Sequence, residues 1–508
     1  MINYTLDYKS SVKPLPHFWE TCVGSSFAVS ALHEDYRTHL TKCVRELGFK
    51  YVRFHGIFDD DMGLLCIADE NEIDFDKKFM LSFEKVDSVF DFLLSIGVRP
   101  YVEFCFMPEV LASGTTTIFD NRKTSPPKDY DAWQWLCERF TSHCVERYGL
   151  GEVRQWFFEV WNEPNIGGVG QPMGFWGGTQ EEYFKLYKYA TLGVKNVDSR
   201  LRTGGPATST NAWIPEFVGY SRENSVPVDF VATHHYPTDD VIGLALEKLI
   251  SVGEQVKAGK TDPELMAQYM QEFQDTKENA WERVPRGALT EMTKRAIKEA
   301  DGLPVYYTEW NSWAGLSSDG PFGASFAAKT IMDTVGLVDL YCYWHFSDVT
   351  EDSQEKEFYG GMGLLTKHGV PKATYRGFEL LHELGSEMYA EVFNQNTIDI
   401  YSVKKPEAHA VQLLVINHQS LNQEINDETI DIEITGLPSF TKAEIKRIDE
   451  NNGNALKFFE NNDACEISEL IEISKLKTEP VNVKFSNGNA KFVLDLPKQG
   501  IALVTIYY

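Results

Sequence analysis

Two glutamates stand out because each closes a short apolar run. In Phe157-Phe158-Glu159-Val160-Trp161-Asn162-Glu163-Pro164-Asn165 the proline prevents ordinary strand continuation just after Glu163. In Val305-Tyr306-Tyr307-Thr308-Glu309-Trp310-Asn311-Ser312 a second carboxylate ends a similar run. Two carboxyl groups facing one cleft can divide the work of cleaving a glycosidic bond: one protonates the leaving oxygen, the other attacks or directs water. That division needs unequal pKa values. An ionised Glu309 nearby would raise Glu163 by like-charge repulsion, keeping it protonated as an acid near neutral pH and leaving it able to act later as base toward water. A single strand-end glutamate can equally be an ion-pair partner, so the weight rests on the two occurring in corresponding positions.

Those positions follow from the pattern around them. From about residue 17 to 386 short β-branched or aromatic runs alternate with longer segments of helical spacing, as βα units around a parallel sheet require. Eight strands are expected: Phe18–Val23, Lys50–Phe54, Arg99–Phe104, Gln155–Trp161, Leu201–Gly205, Asp229–His234, Pro304–Glu309 and Leu340–Phe346. Between the first two, Tyr36, Leu40, Cys43, Val44 and Leu47 recur at intervals of three and four and form one apolar helix face. Helices are also expected at Trp133–Tyr148, Glu182–Val197, Leu289–Ala300 and Phe326–Leu337. The implied fold is α/β, a (β/α)8 TIM barrel over residues 14–386. Strands four and seven would then carry Glu163 and Glu309 to the face where such barrels build their pockets. A long insertion at about 238–286 has helical spacing and reads as a lid or an oligomer contact.

After residue 387 the pattern becomes alternating strands between polar turns, over Thr397–Val403, Ala410–Asn417, Glu428–Ile434, Lys442–Ile448, Pro480–Phe485, Ala490–Leu496 and Ile501–Tyr507. Asn487-Gly488 marks a hairpin. A C-terminal antiparallel β-sandwich domain is expected over 387–508, with a strand-like stretch at 1–13 able to join it.

Charge and composition exclude several classes. With 48 Lys+Arg against 75 Asp+Glu the net charge is −27, which repels nucleic-acid backbones and anionic membrane surfaces. No apolar run is long enough to span a bilayer. The first residues lack the basic, apolar and small-residue succession of a secretory signal, and the eight cysteines are scattered, several in apolar segments; a reduced, cytoplasmic protein is the expectation. The spacing of His, Cys, Asp and Glu suggests no metal site, and no cofactor is implied.

Several stretches together resemble glycoside hydrolase family 39, the β-xylosidase and α-L-iduronidase family, and most of all its bacterial β-xylosidases. They are Tyr51-Val52-Arg53-Phe54-His55-Gly56-Ile57 with Asp60-Asp61-Met62-Gly63, Asn162-Glu163-Pro164-Asn165, Thr233-His234-His235-Tyr236-Pro237-Thr238-Asp239, Thr308-Glu309-Trp310-Asn311, and Tyr343-Trp344-His345-Phe346-Ser347-Asp348 followed by Gly360-Gly361-Met362-Gly363-Leu364. The resemblance implies a retaining enzyme with Glu163 as acid/base and Glu309 as nucleophile, and hence a carboxyl separation of about 5 Å. It also implies that His55, Asn162, His234 and Tyr236 bind the sugar, with Asn162 on its 2-hydroxyl. Each histidine could instead be a core or rim residue, and Tyr236 could orient Glu309 or cap the barrel. Trp344 is a candidate floor beneath the sugar ring, and Trp176, in a glycine-rich loop, a candidate exposed platform. His235 and Glu103 are weaker candidates. The implied activity is exo-hydrolysis of β-linked xylose from xylo-oligosaccharides. Other glycosides (β-glucoside, β-galactoside, α-L-arabinoside, α-L-iduronide) and a non-catalytic carbohydrate-binding protein remain alternatives. A homo-oligomer is a further expectation of the resemblance.

Overall fold

The computed structural model describes residues 2–119, 121–257, 260, 263–350, 356–462 and 465–508. Its centre is a closed barrel of eight parallel strands: β1 (Cys22–Phe27), β2 (Tyr51–His55), β3 (Arg99–Phe104), β4 (Phe157–Val160), β5 (Arg202–Thr208), β6 (Phe230–His235), β7 (Val305–Trp310) and β8 (Tyr341–Tyr343). Neighbours in sequence are neighbours in space, and β8 closes the ring on β1 through Tyr343 opposite Val23. Helices lie between the strands and bury their apolar stripes on the barrel. The one spanning Gln180–Val197 starts with a reciprocal cap: the Thr179 hydroxyl accepts from the Glu182 amide, and the Glu182 carboxylate accepts from the Thr179 amide.

The first and eighth strands differ most from the sequence expectation. Phe18–Glu20 is a turn of 3-10 helix, and β1 begins at Cys22. The apolarity of Phe18 and Trp19 serves packing, with Phe18 against Tyr341, rather than strand pairing. At the other end the expected strand through Phe346 stops at Tyr343, and Trp344 to Phe346 line or support the barrel mouth instead.

The C-terminal region forms two stacked sheets. In the larger, Ile398–Lys405, Ala410–Asn417, Ile501–Tyr507 and Lys442–Ile448 pair antiparallel in that order. In the smaller, Glu428–Thr435 pairs antiparallel with Asn489–Leu496 and parallel with the N-terminal strand Ile2–Asp7, Ile2 opposite Ile430. One strand of the sandwich is therefore parallel to its neighbour. The expected strand over Pro480–Phe485 is two short pieces, Glu479–Pro480 and Lys484–Ser486, which join different sheets. Between Lys484–Ser486 and the next strand, Asn487 and Gly488 both have positive φ (53° and 79°), the backbone that a tight two-residue hairpin demands. The larger sheet is covered on both faces. Ile400, Val411 and Val504 meet the smaller sheet, while Tyr401, Leu414 and Leu503 belong to the barrel's core. Double burial is why Ala410–Asn417 reads as a nearly unbroken apolar run.

Asp239–Lys257 and Pro263–Glu278 form two helices that share a Lys248–Glu272 ion pair at 2.7 Å. Among the described residues no helix is long and apolar enough to cross a membrane.

A buried lysine ties the loops at the barrel mouth. Lys372 Nζ lies 2.6 Å from Asp319, after β7, and 2.7 Å from Asp348, after β8, and donates to the Gly361 carbonyl. The same aspartates accept the backbone amides of Gly360 and Gly363. Lys372→Met removes the countercharge of two buried carboxylates and is expected to cost about 3–5 kcal/mol, read as a lowered midpoint in urea unfolding; an unchanged midpoint would contradict this role.

Candidate active site

The strand period of two turns Arg53 and His55 on β2, Glu103 on β3 and Glu159 on β4 toward the barrel axis. All four are buried. Arg53 uses all three guanidinium nitrogens on neighbours: Nε to Glu159 at 2.6 Å, Nη1 to Glu309 at 2.8 Å, and Nη2 to Glu103 at 2.6 Å and to the Asn162 side-chain oxygen at 2.9 Å. Glu159 also accepts from the Thr308 hydroxyl at 2.7 Å, gripping β7 one residue before Glu309. Burial lifts the Glu159 pKa to about 7 against the pull of Arg53. Burial also acts to raise Glu103, but the charges of Arg53 and His55 outweigh it and hold Glu103 below the usual range.

Glu309 is held by two donors, one on each oxygen: Arg53 on Oε1 and the Tyr236 hydroxyl on Oε2 at 3.0 Å. The Tyr236 backbone amide is fixed in turn by Asp239 at 2.7 Å. Glu163 lies beyond the end of β4 with φ of 45°, and Trp161 before it has φ of 73°. Non-glycine residues there cost about 1–3 kcal/mol each. Two contacts with the end of β5 hold the turn: the Glu163 amide donates to the Ala207 carbonyl, and Asn165 exchanges hydrogen bonds with the Ser209 backbone. Asn162-Glu163-Pro164-Asn165 is thus a carboxylate between two asparagine anchors, one on Arg53 and one on Ser209.

The two carboxylates meet at His234. Its Nδ1 is 3.0 Å from Glu163 and 3.7 Å from Glu309, and an oxygen of each carboxylate lies with a His234 nitrogen inside a 4.8 Å group. Burial pushes His234 down to about 3, so the ring is neutral at working pH. Glu163 is pushed up to about 7, also by burial, with the positive charges of His55 and Arg53 opposing. Its elevation therefore has a different main cause from the expected repulsion by Glu309. For His55 burial favours the neutral ring, but Glu103, 3.0 Å from Nδ1, and Glu309 prevail and raise its pKa.

His55, Asn162, His234, Tyr236 and half-buried Trp344 surround the two carboxylates. Trp344 packs on His55 at 4.7 Å between centroids and on the backbone of β1. A Cβ at Gly24 would sit 2.5 Å from its ring, so only glycine fits there. Glu103 joins the site through Arg53 and His55. His235 does not: it faces away from its neighbour, stacks on Tyr307 at 3.6 Å and pairs with the Tyr341 hydroxyl. Trp176, expected as an exposed platform, is fully buried, edge-on to Trp161 with its indole N–H on the Thr179 carbonyl. The glycine-rich loop folds it inward as core. Arg53, Glu159 and Thr308 were missed as site residues, although a charge in the middle of each apolar run, Tyr51–His55 and Phe157–Val160, was the available signal.

The fold also gathers two sets of potential metal ligands that sequence spacing did not reveal, His55 with Glu103 and Cys105, and Glu163 with His234 and Glu309. Arg53 already supplies a positive charge to Glu103 and Glu309, which opposes a second cation in either place.

The family model for glycosyl hydrolases family 39 matches residues 2–277 and 269–487, and the chain belongs to that family; it is a glycosidase. It is 39% identical over 520 residues to a β-xylosidase of Caldicellulosiruptor saccharolyticus, covering 100% of this chain and 98% of the relative. It is 34% identical over 453 residues to a β-xylosidase of Geobacillus stearothermophilus, covering 86% and 81%. Among solved structures it superposes on a family 39 β-xylosidase from Caulobacter crescentus with a TM-score of 0.76 and 26% identity, covering 100% of both chains.

The burial of Glu163 is directly measurable. In an infrared titration, a carboxyl band that Glu163→Gln removes is expected to ionise with its midpoint near pH 7, where the site puts Glu163. A midpoint at the ordinary glutamate value of 4.5 would contradict it.

Proposed function

We propose that this chain is a retaining, exo-acting β-xylosidase that releases xylose from the non-reducing end of xylo-oligosaccharides. The observation that carries the reading is the approach of the Glu163 and Glu309 oxygens within one 4.8 Å group at the barrel mouth. That spacing suits direct attack by one carboxylate and leaves little room for water between them. The high identity to two β-xylosidases supports xylose as the sugar.

In this reading Glu309 attacks the anomeric carbon as the bond to the leaving oxygen breaks, and the Glu163 proton passes to that oxygen. Glu309 loses its charge in the glycosyl ester. Water then attacks the same carbon from the opposite face, gives its proton to Glu163, and Glu309 departs as carboxylate, restoring the starting configuration. Arg53 and Tyr236 hold Glu309 in line and stabilise it when it leaves. Asn162, with its side-chain oxygen on Arg53, turns its NH2 toward the sugar 2-hydroxyl, and buried His234 Nε2 serves another hydroxyl. Trp344 lies beneath the ring. Glu163 must carry a proton for the first step, so kcat/KM falls as pH rises through about 7.

We infer a cytoplasmic setting from eight cysteines present as thiols, including Cys22 and Cys342 with sulfurs 3.1 Å apart. A homo-oligomer is supported by exposed Leu244, Leu246 and Met270 on the helical insertion.

Rates on a panel of aryl glycosides test the assignment. The β-D-xyloside is expected to be the preferred substrate and its turnover to vanish in Glu309→Ala. Glu163→Ala is expected to lose about 10²–10⁴-fold on substrates whose leaving group needs a proton and far less where it does not. Preference for another sugar would keep the mechanism and change the substrate. Wild-type inactivity on every sugar would favour a carbohydrate-binding protein.

A further inference from the structure

Of the eleven tryptophans, all among the described residues, only Trp313 is exposed, at 53%. It follows β7 by three residues, and its neighbours Asn311 and Ser312 are buried. Its backbone has φ of 43°, a region that side-chain-bearing residues avoid. The turn is held there by a rigid pedestal. Asn311 accepts the Trp313 amide at 2.8 Å while donating to the carbonyls of Trp344 and Met362, and Ser318 accepts the Ala314 amide and pairs with the Ser312 hydroxyl, both at 2.8 Å. Buried polar contacts and an unfavourable backbone thus present a large apolar ring to solvent, an arrangement that core packing does not require.

The location supplies the use. The Trp313 ring meets Tyr236 edge-on at 5.3 Å, and Tyr236 in turn bonds Glu309. Trp313 is therefore one ring further out than the buried groups around the two glutamates. A pocket that takes a single terminal xylose leaves the next xylose of the chain at the mouth. In the chair of a β-xylopyranose every hydroxyl is equatorial, so both faces of its ring offer axial C–H surface to an indole.

We propose that Trp313 is the platform of the leaving-group subsite, stacking on the xylose unit that accepts the proton from the acid. The proposal rests on the β-xylosidase reading and deepens it. It makes Trp313 a specificity-determining residue for oligosaccharides over substrates with a minimal leaving group.

The test compares kcat/KM for xylobiose, which fills both subsites, with that for β-D-xylosyl fluoride, which fills only the inner one. Trp313→Ala is expected to lose about tenfold on xylobiose and to change less than about twofold on the fluoride, with Trp313→Phe recovering most of the loss. Equal losses on both substrates, or no loss on xylobiose, would overturn the proposal. A second measurement avoids substitution at the platform itself: in Glu309→Ala protein, xylobiose is expected to shield exposed tryptophan fluorescence from acrylamide quenching, and unchanged quenching at saturating xylobiose would overturn it. Wild-type protein that turns over neither β-xyloside would sink the underlying reading, and the platform with it.

Discussion

The guanidinium of Arg53 has no contact with solvent and is surrounded by Glu159, Glu309, Glu103 and Asn162, so the architecture of the mouth is arranged around one buried charge. Such a charge is tolerable only when its donors are satisfied and its countercharges fixed. A planar fork meets several acceptors at set angles, which a lysine's single ammonium cannot do. Each partner comes from a different strand or strand end, β3, β4, β7 and the turn after β4. The ion pairs therefore brace the barrel and set the geometry of the site together.

Two consequences separate the carboxylates. Glu309 receives one donor on each oxygen and is fixed close to a cation. Glu163 lacks such a partner among the described residues, meets a neutral imidazole, and is raised by burial to about 7. These unequal environments separate two identical side chains in the way the proposed mechanism needs, with Glu163 as proton donor and Glu309 as nucleophile. The left-handed backbone at Trp161 and Glu163 accompanies the turn that sets Glu163 against His234, and Ala207 and Ser209 on the neighbouring strand end stabilise it. The Lys372 lock beneath the loops after β7 and β8 does the same for the side of the mouth that carries Trp313 and Trp344.

Much of this was legible from residue order because strands of a parallel barrel are apolar, short and regularly spaced, so all eight could be found and both glutamates assigned to strand ends. Boundaries failed where apolar residues had another task. Phe18 and Trp19 look like a strand yet form a 3-10 turn packed into the core around the barrel, and past Tyr343 the aromatic residues serve packing, Trp344 on His55 and Phe346 on Tyr36. Trp176 failed for a related reason: glycines signal a loop but do not say whether its aromatic turns out or in. Trp313, the ring that does turn out, lies in a loop without glycine until Gly315. Arg53 and Glu159 were hidden because their role depends on which strands become neighbours, although a charge inside an apolar strand always needs a partner. The cause of the Glu163 elevation could not be read either, since burial is a property of the folded surroundings.

In the proposed mechanism Glu309, pinned by Arg53 and Tyr236, forms the bond to the sugar. That step is tested most directly by reacting the enzyme with a 2-deoxy-2-fluoro-β-xyloside carrying a good leaving group, then digesting it and sequencing the modified peptide by mass spectrometry. One fluoroxylosyl group per chain, esterified to Glu309, is the expected product. A label on Glu163 or on any other residue, at the stoichiometry that abolishes turnover, would contradict it.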